Sequence, residues 1–334
     1  MSIARLVVVL TVLPSAVLTG CGGGGGSSQT DGGTASAEAW DFPEHQFVID
    51  RLRLPLTEAE SQQLGFDLNG DGLPDNLLGS ILVSFGSSMG ATSPQTSVDE
   101  SVAAGRTILL IDLFARDLQS EPLSNLWLLL GTSADPPLTT GPPPGSAWSA
   151  APDGPLDSIL GGAIAGGHAL YGGTGGRLRV DFPITDEESL ATSLEVARAE
   201  FDVAIDGSTL DLARTSGAVN PDFGRIGGAI SRESLDTEVM PSLARIMQGQ
   251  VAKKCTMNAG VCECVPNTGG AAVQRLFDEN GDCSVTLEEF VGNALVQTAL
   301  AGDVELPDGT MGLSLGFGFH AVTATFTHPA PPGR

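Results

Sequence analysis

The chain has 334 residues, 40 acidic against 16 basic, giving a formal net charge of −24 and an isoelectric point near 4.2. So acidic a surface repels phosphate backbones and anionic lipid headgroups, which argues against nucleic acid as a partner and suits a cation-rich extracellular setting. The length and a hydrophobic content of 41% allow one large core, and beyond the first residues no stretch is long and apolar enough to span a membrane as a helix.

Arg5 precedes an apolar run that ends in Thr19-Gly20-Cys21. A charged start, a short apolar segment and small residues before a cut site predict an export signal over residues 1–20. Leu18-Thr19-Gly20-Cys21 resembles a bacterial lipobox. That resemblance implies cleavage before Cys21, lipid on its thiol and amine, and a membrane contact made through the lipid anchor. Residues 21–39 are rich in Gly, Ser and Thr and are expected to be a flexible tether ahead of a single domain over residues 40–334.

Residues 45–56, HQFVIDRLRLPL, alternate apolar with polar and predict a first strand. Thr57, with Glu60 three residues on, predicts a capped helix start. In FDLNGDGLPDN, Asp67, Asn69, Asp71, Leu73 and Asp75 fall at positions 1, 3, 5, 7 and 9 of a calcium loop, with Gly72 at position 6. Leu78 stands where a closing Glu is wanted, so an oxygen from elsewhere must complete the site. The stretch resembles the DxNxDGxxD loops of dockerin-type and thrombospondin-type calcium repeats. Leu77, Leu78, Ile81, Leu82 and Phe85 predict a helix, residues 98–104 a second, residues 107–114 and 125–131 strands, and residues 135–151 a long Pro/Gly-rich loop. Gly86-Ser87-Ser88-Met89-Gly90 matches G-x-S-x-G, the pattern of a hydrolase nucleophile elbow centred on Ser88, which requires a strand before it and a helix after it. Here a helical pattern precedes it.

Residues 158–173, 177–182, 194–206 and 209–214 alternate like strands of an antiparallel sheet with one solvated face, and the echoing segments Leu160-Gly161-Gly162-Ala163-Ile164 and Ile226-Gly227-Gly228-Ala229-Ile230 carry glycines that suggest tight curvature or close sheet packing. A helix is expected from Ser231 or Ser234 to about residue 253, with Pro241 able to kink it. Cys255, Cys262, Cys264 and Cys283 all lie within about thirty residues, which in an exported chain predicts two disulfides. Cys262 and Cys264 are too close to pair comfortably. Two connectivities remain, and both tie Cys283 to Cys262 or Cys264. Four thiolates on zinc form the rival arrangement, at an unusual spacing.

The stretch FDENGDCSVTLEEF organises this half of the chain. Calcium takes oxygens from alternate residues of a tight loop between two helices. Asp278, Asn280 and Asp282 occupy positions 1, 3 and 5, Ser284 position 7, Thr286 position 9 and Glu289 position 12. Position 6 is Cys283 where Gly is usual, so Cys283 is expected to need a positive φ, which a disulfide could hold. Residues 312–326 alternate strictly and predict a last strand returning to the one begun near His45.

The expected architecture is α+β, a β-rich antiparallel sheet or sandwich carrying a helical, disulfide-linked insertion over residues 231–302. The lipobox, FDLNGDGLPDN, IGGAI before a long helix, CEC, LFDENGDCSVTLEE and LSLGFGFHAV together resemble the EF-hand-containing predicted lipoproteins of delta-proteobacterial genomes. That resemblance implies calcium binding and an outer-membrane or surface location, and no enzyme activity. The leading expectation is therefore a calcium-binding, lipid-anchored surface protein with a structural or binding role toward an extracellular protein or polysaccharide, although one Tyr and three Trp are few for stacking sugars. A calcium-stabilised serine hydrolase using Ser88, and a calcium sensor, are the alternatives.

Overall fold

A computed structural model of the chain describes residues 34–89, 94–173, 175–183, 189–206, 209–213 and 223–331. The export signal, Cys21, most of the tether and Gly90 lie outside these residues. The strands are β1 (Glu44–Arg53), β2 (Leu109–Phe114), β3 (Ser120–Leu130), β4 (Ser146–Ser149), β5 (Ile159–Ala165), β6 (His168–Gly172) and β7 (Arg177–Pro183). They continue with β8 (Ser189–Asp206), β9 (Thr209–Ala213), β10 (Gly224–Ile230), β11 (Cys255–Asn258), β12 (Val261–Cys264), β13 (Val304–Glu305) and β14 (Met311–Thr327).

The sheet is not a sandwich. Eight strands follow one another around a closed antiparallel ring, β1-β2-β3-β5-β6-β8-β10-β14, and β14 pairs back onto β1. The molecule is a mostly-β barrel with short helices at one end, which corrects the expected α+β sandwich. Alternation along a strand reports which residues share a face; it does not report whether the last strand meets the first. Closure is written instead in the length of β14. Its residues 313–319 pair with β10 while residues 318–323 pair with β1, and that stagger along one strand is the shear that closes a barrel.

Inward positions fill the barrel: Leu109, Ile111 and Leu113 of β2, Leu126 and Leu128 of β3, Ala199 and Phe201 of β8, and Phe317, Phe319 and Ala321 of β14. Tyr171 stacks on Phe201 at 5.7 Å, Phe201 meets Phe319 edge-on at 5.7 Å, and the Ser124 hydroxyl donates to the buried Tyr171 oxygen at 2.8 Å. Outward positions carry ionisable side chains in pairs, as in Arg177–Glu195 at 2.7 Å, His168–Asp202 at 2.7 Å and the Arg225–Glu200 pair. Apolar inside and charged outside is the inverse of a lipid-facing barrel. One part of the outer face is apolar and covered. Val48, Leu110, Phe114, Trp127, Leu129 and Val322 pack beneath Trp40 and Trp148. Trp148 belongs to β4, which runs parallel to β14 within the stretch expected to be a loop.

Between β1 and β2 lie α1 (Glu58–Leu64), α2 (Leu77–Met89) and α3 (Pro94–Ala103). Thr57 caps α1 by accepting from the Glu60 amide, while the Glu60 carboxylate turns to the Leu56 amide and Arg53. Between β10 and β13 come the single turn α4 (Arg232–Ser234), a π-helical turn Leu235–Val239 and α5 (Met240–Lys254). The hairpin β11–β12 follows, then α6 (Gly269–Phe277), α7 (Leu287–Gly292) and α8 (Ala294–Ala299). The barrel core continues without a break into Leu78, Val98, Val102, Leu235, Val239, Met240, Phe277 and Phe290, so these helices cover the barrel's end.

Buried Asn76 joins the two layers. Its amide donates to the Ser61 and Gly316 carbonyls at 2.9 and 3.0 Å and accepts from the Gly316 and Gly79 amides at 2.8 and 3.1 Å. A side chain at position 316 would collide with the Leu64 carbonyl, so glycine lets α1 and Asn76 approach β14.

Candidate calcium loops and their surroundings

The helices expected around FDENGDCSVTLEEF are present. Thr268 caps α6 and Thr286 caps α7. Phe277 and Phe290, one from each helix, are buried against one another with rings 5.3 Å apart. Between them Asp278, itself 7% exposed, accepts the Asp282 and Cys283 amides at 3.0 and 3.1 Å. Asn280 accepts the Asp282 amide at 2.8 Å, and Asp282 accepts the Ser284 amide at 2.8 Å. Each of these residues folds the loop around its own oxygens. Thr286 and Glu289 form a reciprocal capping box, with Glu289 Oε2 accepting from the Thr286 amide at 3.0 Å and hydroxyl at 3.1 Å. The helix after the loop is short, because Asn293 leaves helical geometry and caps α8 by accepting from the Leu295 amide.

Cys283 sits at φ +61°, the left-handed region that position 6 requires, and is bonded to Cys262. The second disulfide joins Cys255 to Cys264 across directly paired positions of β11 and β12. Of the two connectivities open in the sequence, this one welds a hairpin and then ties the hairpin to the loop. Val285, at position 8, is buried, and its amide donates to Gln248 of α5 at 2.5 Å. The loop is thus docked on a helix where paired loops dock on one another.

The first loop is built by the same means on more exposed ground. Asp67 accepts the Gly70 and Gly72 amides at 2.7 and 3.0 Å, Asn69 that of Asp71 at 2.9 Å, and Asp71 that of Leu73 at 2.8 Å. Gly70 and Gly72 both take positive φ. Asp75 reaches back to the Leu68 and Asn69 amides and to the Asn69 side chain. Burial pushes the Asp75 carboxyl up, and the nearby charges of Asp303 and Asp71 add to the rise. Asp303 directly precedes β13, and Val304 of β13 and Leu306 just after it pack with Leu68. Leu73, expected to offer its carbonyl, leaves its side chain exposed.

Among the described residues, two groups of three potential ligands gather within 4.8 Å, and neither is one of these loops. One comprises Cys255, Cys262 and Cys264. Their sulfurs are held in disulfides, which leaves no thiolate for a metal and removes the zinc alternative. The other, Glu44, Asp112 and His328, was not anticipated, since its members come from the start of β1, the interior of β2 and the residue after β14, far apart in the sequence. His328 Nε2 lies 2.9 Å from Asp112. Burial pushes the Asp112 carboxyl up, and the Asp112 carboxylate in turn pushes the His328 imidazole up.

Among the described residues, α2 runs through Ser88, so a helix precedes it where an elbow requires a strand. His168, His320 and His328 each stand within 3 Å of a carboxylate, at Asp202, Asp50 and Asp112 respectively. The chain matches no protein-family profile, no curated protein and no solved structure.

Proposed function

We propose that this is an exported, lipid-anchored protein that binds calcium in the loop between α6 and α7 and uses it as a structural clamp. The observation that carries the reading is the conformation of Cys283. A cysteine held at φ +61° at the sixth position of D-x-N-x-D…E, in a loop whose first Asp is buried and folded around by backbone amides, has the backbone demand of a calcium loop. Asp278, Asn280, Asp282, Ser284, Thr286 and Glu289 are the proposed ligands, and calcium would draw the Glu289 carboxylate from its present partner, Thr286. Asp67, Asn69, Asp71, Leu73 and Asp75 form a second, weaker candidate. The anchor at Cys21 and an outer-membrane or surface location rest on the lipobox resemblance, and the charged barrel exterior suits a domain held in water beside a membrane.

Two disulfides and a buried aromatic pair favour a clamp over a sensor that opens on binding. The test is thermal melting in calcium and in chelator, beside Glu289→Gln. Extracellular modules bind calcium at about 0.1–1 mM, and a hundredfold excess over Kd stabilises the native state by about 2.7 kcal/mol. A calcium-dependent rise in Tm that vanishes in Glu289→Gln is expected. An unchanged wild-type Tm would remove calcium from the account.

A further inference from the structure

We propose that Glu44, Asp112 and His328 form a binding site for a divalent transition-metal ion of the zinc class on the outer face of the barrel, separate from both acidic loops. Asp112 lies on β2, Glu44 opens β1, and His328 follows β14, so the site spans the seam where the first and last barrel strands meet.

Asp112 is fully buried, and the groups that answer its carboxylate are the His328 imidazole and the side chain of Gln46, its neighbour across β1. A buried carboxylate is costly unless a positive charge reaches it. What faces it is His328 Nε2 at 2.9 Å, with Glu44 Oε2 3.8 Å from the same nitrogen. The other imidazole nitrogen, Nδ1, lies 2.6 Å from the Pro329 carbonyl, an acceptor only, so Nδ1 carries the proton. In the neutral ring Nε2 is then a lone pair. Three acceptors, one imidazole nitrogen and two carboxylates, converge on one point and require a positive charge there. A proton supplies it in the metal-free protein. A divalent ion meets the same demand with three bonds, and a backbone carbonyl fixing the far nitrogen is the usual support of a metal-ligating histidine.

The donor set selects the metal. Calcium and magnesium take all-oxygen shells, whereas an imidazole with carboxylates suits zinc and its neighbours. Three protein ligands leave a fourth position open. The site is reachable through Glu44, whose side chain is 37% exposed. It is walled by Trp127, whose ring lies 5.2 Å from that of His328, and by Phe326 at 5.8 Å.

The test is titration of the full chain with Co2+ in excess calcium, which fills the all-oxygen loops. It is followed by the visible absorption of the ion and by quenching of tryptophan emission, since all three tryptophans lie in the cluster around Trp127. Wild type is expected to bind one ion with both signals. His328→Gln is expected to lose the absorption band, and Glu44→Gln, a change at a partly exposed position, to weaken binding at least about tenfold. Zn2+ should displace the Co2+. Absence of the band in wild type, or its survival in His328→Gln, would overturn the assignment. Asp112→Asn is informative only if its melt shows it folded, and the other two variants decide without it.

Discussion

Cys283 serves two demands at one position. The loop needs a left-handed residue, for which glycine is cheapest, and the hairpin needs a sulfur partner for Cys262. Separating them gives a prediction. In a Cys262→Ser background, Cys283→Gly should be more stable than Cys283→Ser by about 1 kcal/mol in urea unfolding, because only the backbone preference then differs. Equal stabilities would mean that the disulfide bends an otherwise indifferent residue. Glu121 makes a pH prediction. Its buried carboxylate accepts Arg116 Nε at 3.0 Å and Nη2 at 2.9 Å, and the guanidinium holds its pKa below the ordinary 4.5. The native state therefore binds this proton more weakly than the unfolded chain. The resulting stability is complete above about pH 4.5 and is lost as pH falls through the lower native value. Glu121→Gln should be less stable at neutral pH and lose less on acidification, read as a flatter profile of Tm below pH 4.5. Cys283 was legible in the sequence because the rule it breaks is local. Asn76 was not, since its bonds to Gly316 cross 240 residues and no spacing reports them.

At the scale of elements, α7 carries a built-in discrimination between capping and ligation. Gln serves a capping box as Glu does, but cannot give calcium two charged oxygens. Without calcium, Glu289→Gln should lie within about 0.5 kcal/mol of wild type and Glu289→Ala about 1 kcal/mol below it; with calcium, only wild type should gain. Asn76→Ala tests the other junction, between α2 and β14. It would leave buried Gly316 and Ser61 groups unpaired and should cost about 3 kcal/mol with or without calcium, measured by chemical denaturation. Strands and helices with regular spacing were readable from residue patterns, as β1, α2, β2, β3 and β14 show. The elements that were missed lack such spacing. β4 exists because Ser146 to Ser149 lie along β14, and β11–β12 because Cys255 faces Cys264, and both depend on partners rather than on their own composition.

For the whole molecule, the strand pattern was legible and the topology was not, because a sandwich and a barrel present the same alternation. The difference lies in the stagger of β14 between β10 and β1. Both disulfides fall within residues 255–283, outside the barrel wall, and the longer spans 21 residues. Closing such a loop constrains the unfolded chain by about 3 kcal/mol, and the constraint acts on the insertion. Reduction should therefore abolish the calcium effect on melting while the far-ultraviolet signature of the β-barrel remains. Collapse of that signature on reduction would mean that barrel and insertion unfold as one. The seam between β1 and β14 also sets an order of events. The first strand waits for a partner more than 250 residues further along, and until that partner arrives β1 and β10 each present an unsatisfied row of amides and carbonyls to any passing chain. In the finished ring those two rows are paired through β14. Its hazard is confined to the interval of its making, when a shortage of the last strand turns a self-sealed shell into a template for its neighbours.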